Sequence, residues 1–163
     1  MTTTATATKQ FMTSEQLLND WQGHRNLTRR VIESFPEKEL FEFSVGGMRP
    51  FAKLAVELIG IAGPALKGIV EGTTEAYNEE AFNPKTKEEI LKKWDEETEV
   101  INHYFSMISE DRFQETFNLF GEYEFPVYQN ILYFVDNEVH HRGQGYVYLR
   151  ALGIEPPFFW ERF

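Results

Sequence analysis

No cysteine occurs among the 163 residues. That excludes a disulfide framework, thiolate metal ligands and a cysteine nucleophile, so any metal site must use histidine, carboxylate and amide groups. Histidine itself numbers only four. There is no run of 18 or more apolar residues, and the opening ten residues lack the hydrophobic core of a signal peptide. A cytoplasmic protein without a membrane partner is the expectation. A P-loop, a GxGxxG fingerprint, a GxSxG elbow and an HExxH pair are all missing, which removes the chemistries built on them. Positive charge is also scarce. Sixteen Lys and Arg against 26 Asp and Glu leave a net charge of -10 and a pI near 4.9. A field of that sign repels phosphate backbones and anionic lipid, which argues against nucleic acid as a partner.

What remains is one domain's worth of chain, long enough to bury a sizeable core. Residues 1–12, rich in Thr and Ala, offer too little apolar surface to offset ordering entropy and are expected to form a disordered lead; residues 13–163 form the domain. Thr13, Ser14 and Glu15 resemble a helix start ahead of Leu17, Leu18, Trp21, Leu27, Val31 and Ile32, so a first helix is predicted over 14–34. Residues 37–47 carry turn formers and read as a loop, closed by Arg49-Pro50. Pro50 starts a second helix whose stripe is Phe51, Leu54, Leu58, Ile61, Ala65 and Ile69, with Gly60, Gly63 and Pro64 predicting a kink or tight packing. After a polar connection over 71–86, a third helix begins near Lys87, with Asp95-Glu96-Glu97 on a solvated face. Between Arg112 and Phe125 the helical period is lost, and a short hairpin or an aromatic loop is expected.

The last helix runs from Pro126 to a Gly153 stop. Leu132, Val135, Val139, Tyr146 and Leu149 recur at helical spacing and read as its core face. A second line, with Phe134, Asn137 or Glu138, His141 and Tyr148, mixes aromatic residues with possible ligands. Two mid-helix glycines, Gly143 and Gly145, point to close approach by another helix or a ligand, since each costs about 1 kcal/mol against alanine. Four amphipathic helices with no internal repeat give an all-α bundle.

The stretch from Asn137 to Pro157, with His141-Arg142-Gly143-Gln144, Leu149-Arg150, Leu152-Gly153 and Pro156-Pro157, resembles the C-terminal motif of the DinB/YfiT-like superfamily of metal-binding four-helix bundles. Phe35-Pro36, Met48-Arg49 and the helix from Phe51 are similar to that family's first loop and second helix. The resemblance implies a DinB-like up-down-down-up four-helix bundle, with a short hairpin or loop before the last helix. It also implies a divalent-metal site of Glu57, Asn137 and His141, where the family's motif places three histidines. Zn, Ni or Mn would be the metal, a small molecule the substrate, and a homodimer the assembly. The family's name refers to DNA-damage induction, which concerns expression rather than what the protein touches. Relatives that use low-molecular-weight thiols imply a thiol S-transferase or a hydrolase. The alternative is a non-catalytic dimerisation or ligand-binding protein with a degenerate metal site.

Asn137 and His141 lie one turn apart on one face, and an asparagine oxygen is a harder, weaker donor than imidazole. The same residues allow a metal-free arrangement in which His141 is hydrogen-bonded to Glu57 or Asn137. A carboxylate at the edge of an apolar stripe needs a cation, a proton or strong donors either way. His140 reads as solvent-facing, His24 and His103 as surface or satisfied histidines, and Arg142 and Arg150 as charge-pairing or capping residues. The aromatic tail after Pro157 either packs back over the bundle or joins a second subunit.

Overall fold

The computed structural model describes residues 11–163; the expected lead over 1–12 falls almost wholly outside them. Four long helices, α1 (Ser14–Ser34), α3 (Phe51–Glu71), α4 (Lys87–Ser106) and α5 (Val127–Ala151), make the bundle. The predicted loop over 37–47 begins instead with a short helix, α2 (Glu37–Glu42). Its Leu40 is fully buried, so one apolar anchor is enough to dock a six-residue helix that could not stand alone. The hairpin reading holds: β1 (Thr116–Leu119) pairs antiparallel with β2 (Tyr123–Pro126), turning through Phe120 and Gly121 at positive φ.

Local signals explain the ends. Thr13 caps α1 in a reciprocal capping box with Gln16, an arrangement worth about 1 kcal/mol. Pro50 and Pro126 sit at the N-cap, one residue before the first turn expected for them. Gly153 takes the left-handed conformation just beyond α5.

Contacts fix the helix directions. Gln22, Arg25 and Arg29 of α1 meet Asn102, Thr98 and Asp95 of α4, so these two run antiparallel. Arg49 and Glu57 meet Tyr148 and His141, so α3 and α5 are antiparallel as well. Trp21 stacks on Phe134 and Thr28 reaches Arg142, which makes α1 and α5 parallel. The result is up-down-down-up, with the parallel neighbours α3 and α4 joined by the crossover at residues 72–86.

Two apolar clusters fill the bundle. One holds Trp21, Ile61, Leu66, Ile101, Phe105 and Ile131 with the hairpin's Leu119. The other holds Val31, Phe35, Phe51, Leu54, Trp94 and Leu149. Between them each long helix places polar groups: Arg25 and Thr28 on α1, Glu57 on α3, Glu97 and Thr98 on α4, and Glu138, His141 and Arg142 on α5. Glu138 is almost fully buried, with Thr28 Oγ1 at 2.7 Å, Trp21 Nε1 at 3.4 Å and an Arg25 guanidinium nitrogen at 3.7 Å. Arg25 also donates to Thr98 and to the Trp94 carbonyl, and its guanidinium lies 4.0 Å over the Trp94 ring. Burial raises the Glu138 pKa and lowers those of Arg25 and Arg142; each ion's main relief is its opposite.

This layer turns part of the expected core face of α5 outward. Leu149 is buried and Val135 and Tyr146 pack partly buried against the two clusters, but Leu132 and Val139 are 43% and 40% exposed, and Phe134, Glu138, His141 and Tyr148 are buried in their stead. Hydropathy ranks Glu138 and Arg142 as surface residues because it cannot see their partners on α1. Likewise Asp95 and Glu96 are solvated as expected, but Glu97 is not.

The α5 glycines differ in kind. A Cβ on Gly145 would lie 2.5 Å from the Phe51 ring, which is fully buried and stacked 4.8 Å from Phe35, whereas a Cβ on Gly143 meets nothing. Gly145→Ala is expected to cost about 1–3 kcal/mol by overpacking, and Gly143→Ala to gain roughly 0.5–1 kcal/mol; urea midpoints moving the same way for both would contradict this packing. Glu138→Ala strands two buried guanidinium groups and is expected to lose about 3–5 kcal/mol, read in the same assay.

Candidate functional site at the Glu57–His141 pair

Glu57 lies two turns into α3 and His141 in the middle of α5, and the antiparallel packing of these helices brings them together. His141 Nε2 is 3.0 Å from Glu57 Oε1. The ring's Nδ1 is buried and has no hydrogen-bond partner among the described residues. A proton there would have no acceptor, so the surroundings favour the tautomer in which Nε2–H donates to Glu57. Of the two sequence alternatives for His141 without metal, the bond runs to Glu57.

The other carboxylate oxygen is taken by a residue the sequence did not single out as a site residue. Arg49 Nη2 donates to Glu57 Oε2 at 2.5 Å, and Nη1 reaches Glu79 Oε1 in the crossover at 3.4 Å. Tyr148 holds the Arg49 carbonyl at 2.9 Å. The hydrogen bond from His141, with that from Arg49, holds the Glu57 carboxyl down at about 2 against the opposing effect of burial. Two tyrosines complete the surroundings. Burial, and then the charge of Glu57, push the Tyr77 phenol up to about 12, and the same causes raise that of Tyr133. The Arg49-Pro50 pair was the one sequence trace of this network, because a loop arginine just before a helix start can fold back over its first turns. Tyr77 and Glu79 lie in a connection without periodicity, and nothing in the sequence marks them.

Asn137 sits one turn before His141, half-buried, with Nδ2 buried and unpartnered. Glu57 and His141 are therefore brought together with Asn137 on the adjoining turn. The other candidates separate from this site. His140 is exposed and bonded to Gln144, and His103 is exposed at the end of α4. His24 lies between two guanidinium groups, Arg142 at 2.9 Å from its Nδ1 and Arg162 at 2.8 Å from its Nε2, of which the neutral ring accepts from one, and burial with these two cations lowers its pKa to about 4. Arg142 also donates to the His24 carbonyl and Thr28. Arg150 is exposed. The tail stays largely exposed: Phe163 lays one ring edge over Gly23 of α1 but remains exposed, and Phe158, stacked on Trp160, and Phe159, edge-on to it, are exposed as well.

The residues present do not fit a tightly held divalent transition metal. One imidazole and one carboxylate face each other, the third group is a neutral amide, and a guanidinium already bonds the carboxylate. Among the described residues no three histidine or acidic side chains converge as a metal-binding group. The arrangement can orient an imidazole, hold a carboxylate ionised and present phenol donors at neutral pH.

The linkage has a definite sign. Glu57 is held below its ordinary 4.5, so its contribution to stability is complete above that pH and is lost as pH falls toward about 2. Urea unfolding of the protein and of Glu57→Gln should show a stability gap that is constant above pH 4.5 and shrinks below it; a gap that widens on acidification would contradict the geometry.

A model of the DinB family matches residues 1–162. Among solved structures, a crystal structure of a DinB-like protein from Bacillus cereus superposes with a TM-score of 0.72 at 16% identity, covering 88% of this chain and 95% of that one. A search of curated proteins finds no match. Among the described residues no helix is long and apolar enough to cross a membrane.

Proposed function

The chain belongs to the DinB family, and we propose that it is a non-catalytic, small-molecule-binding member in which an Arg49–Glu57–His141 network stands where the family's motif places a metal. The observation that carries this is the 2.5 Å bond from Arg49 to Glu57. A guanidinium at that distance supplies the positive charge the partly buried carboxylate needs and repels a second cation. In this state Glu57 is too acidic to act as a base near neutral pH, and it serves to hold His141 and the crossover in place. The protein is a homodimer in the same proposal. In support, α5 exposes Tyr128, Leu132, Val139 and Val147, and the tail exposes Phe158, Phe159 and Trp160.

A second reading, a divalent-metal-dependent thiol S-transferase or hydrolase acting on a small molecule, has its own support. Glu57 and His141 do converge, and half-buried Asn137, whose amide oxygen is a neutral donor, lies on the adjoining turn. That reading requires Arg49, which is 44% exposed at its side chain, to leave the carboxylate.

Elemental analysis and titration with Zn²⁺, Ni²⁺ and Mn²⁺ of untagged protein separate the two. The expected result is no near-stoichiometric metal and no uptake at micromolar concentration by the protein, with uptake improved in Arg49→Ala. Near-stoichiometric metal that is lost in both Glu57→Ala and His141→Ala would overturn the metal-free reading. Light scattering on the same preparation should give the mass of a dimer.

A further inference from the structure

On the α4 side of α3 lies a cavity of about 520 Å³, roofed by the crossover and the hairpin. Its volume falls in the range of roughly 300–1,000 Å³ typical of small-molecule sites. Gly60 and Gly63 form part of its floor, and Val100, Phe117, Phe120 and Tyr77 line its walls. The lining is therefore mostly apolar and aromatic.

Two polar groups in it are unsatisfied. Glu97 is 92% buried by residue, being 8% exposed. Its Oε1 is bonded by Lys93 Nζ at 2.9 Å, but Oε2 is buried with no hydrogen-bond partner. That oxygen rests on Gly63, where a Cβ would overlap it. Leaving a charged acceptor unpaired costs about 1–3 kcal/mol or more, and here the glycine that makes room for it also opens the cavity. Tyr77, over Gly60, likewise has a buried hydroxyl with no partner. Glu71 and Glu75 add negative charge to the lining, while both lysines there, Lys67 and Lys93, are already paired with acids.

We propose that this cavity is a second site, separate from the Glu57–His141 pair, that binds a small amine with a ring-sized apolar body. The ammonium donates to the Glu97 carboxylate, which turns toward it about its soft terminal torsion. The ring lies against Phe117 and Phe120 of the hairpin. An anion of the same shape meets a paired lysine and an unpaired carboxylate oxygen, and is disfavoured.

The test uses the full chain with two matched probes, phenethylamine and 3-phenylpropionate, by calorimetry and by amide chemical shifts. Phenethylamine should bind saturably with a Kd of roughly 1 mM or tighter, and phenylpropionate at least about tenfold more weakly. Shifts should cluster at residues 60–68 and 97–100. Glu97→Gln should abolish the preference for the amine, and Val100→Phe, which narrows the cavity without touching the carboxylate, should weaken binding even if the first variant does not fold. Amine titration in the presence and absence of Zn²⁺ should give the same Kd, so the fate of this site is read independently of the metal question. Absence of saturable binding, equal binding of the two probes, or shifts centred on His141 would overturn the proposal.

Discussion

The buried carboxylate of Glu138 is the constraint on which the rest of the bundle depends. An ionised carboxylate in the middle of a bundle is tolerated only with opposite charge and donors around it. Here these come from Arg25, Thr28 and Trp21 of α1, and Arg25 is in turn held by Thr98 and Trp94 of α4. A slip of either helix along α5 would strand the charges, whereas apolar layers of similar shape could repack. The pairing thereby sets the register of α1, α4 and α5, and the two apolar clusters on either side supply most of the burial.

That register decides what the surface looks like. With Glu138, His141 and Arg142 turned inward, the apolar residues between them face outward, and α5 carries Leu132, Val139 and Val147 on its exposed side. The same rotation points His141 at α3. The exposed face and the Glu57–His141 pair are two results of one polar layer.

Arg49 plays for the α3–α5 seam a part comparable to that of Arg25 at the α1–α4 seam. It ties the start of α3 to Glu57, to Glu79 of the crossover and, through its carbonyl, to Tyr148. Tyr77, carried by the same crossover, stands over Gly60 between the Glu57 pair and the cavity that Glu97 borders. One connection without periodicity thus covers two polar sites, each built on a carboxylate that faces α3 or projects from it. Their chemistry differs: Glu57 has both oxygens satisfied, and Glu97 has one free.

The sequence by itself determined the four long helices and most of their ends, and narrowed residues 112–125 to a hairpin or loop, because these follow from local periodicity, caps and turn residues within a few positions of one another; α2, which rests on the burial of Leu40, it did not show. It also determined that Glu57 and His141 would face each other once the helices were ordered as the motif implies. The tertiary structure alone decided which face of α5 is buried, since Glu138 and Arg142 become core residues only beside Thr28 and Arg25, more than a hundred positions away. It alone distinguished Gly145, pressed against Phe51, from Gly143, which presses on nothing. It alone brought Arg49 to Glu57, and so gave that carboxylate a guanidinium for a partner. In each case the free energy of one side chain is set by a group that the chain delivers only on folding.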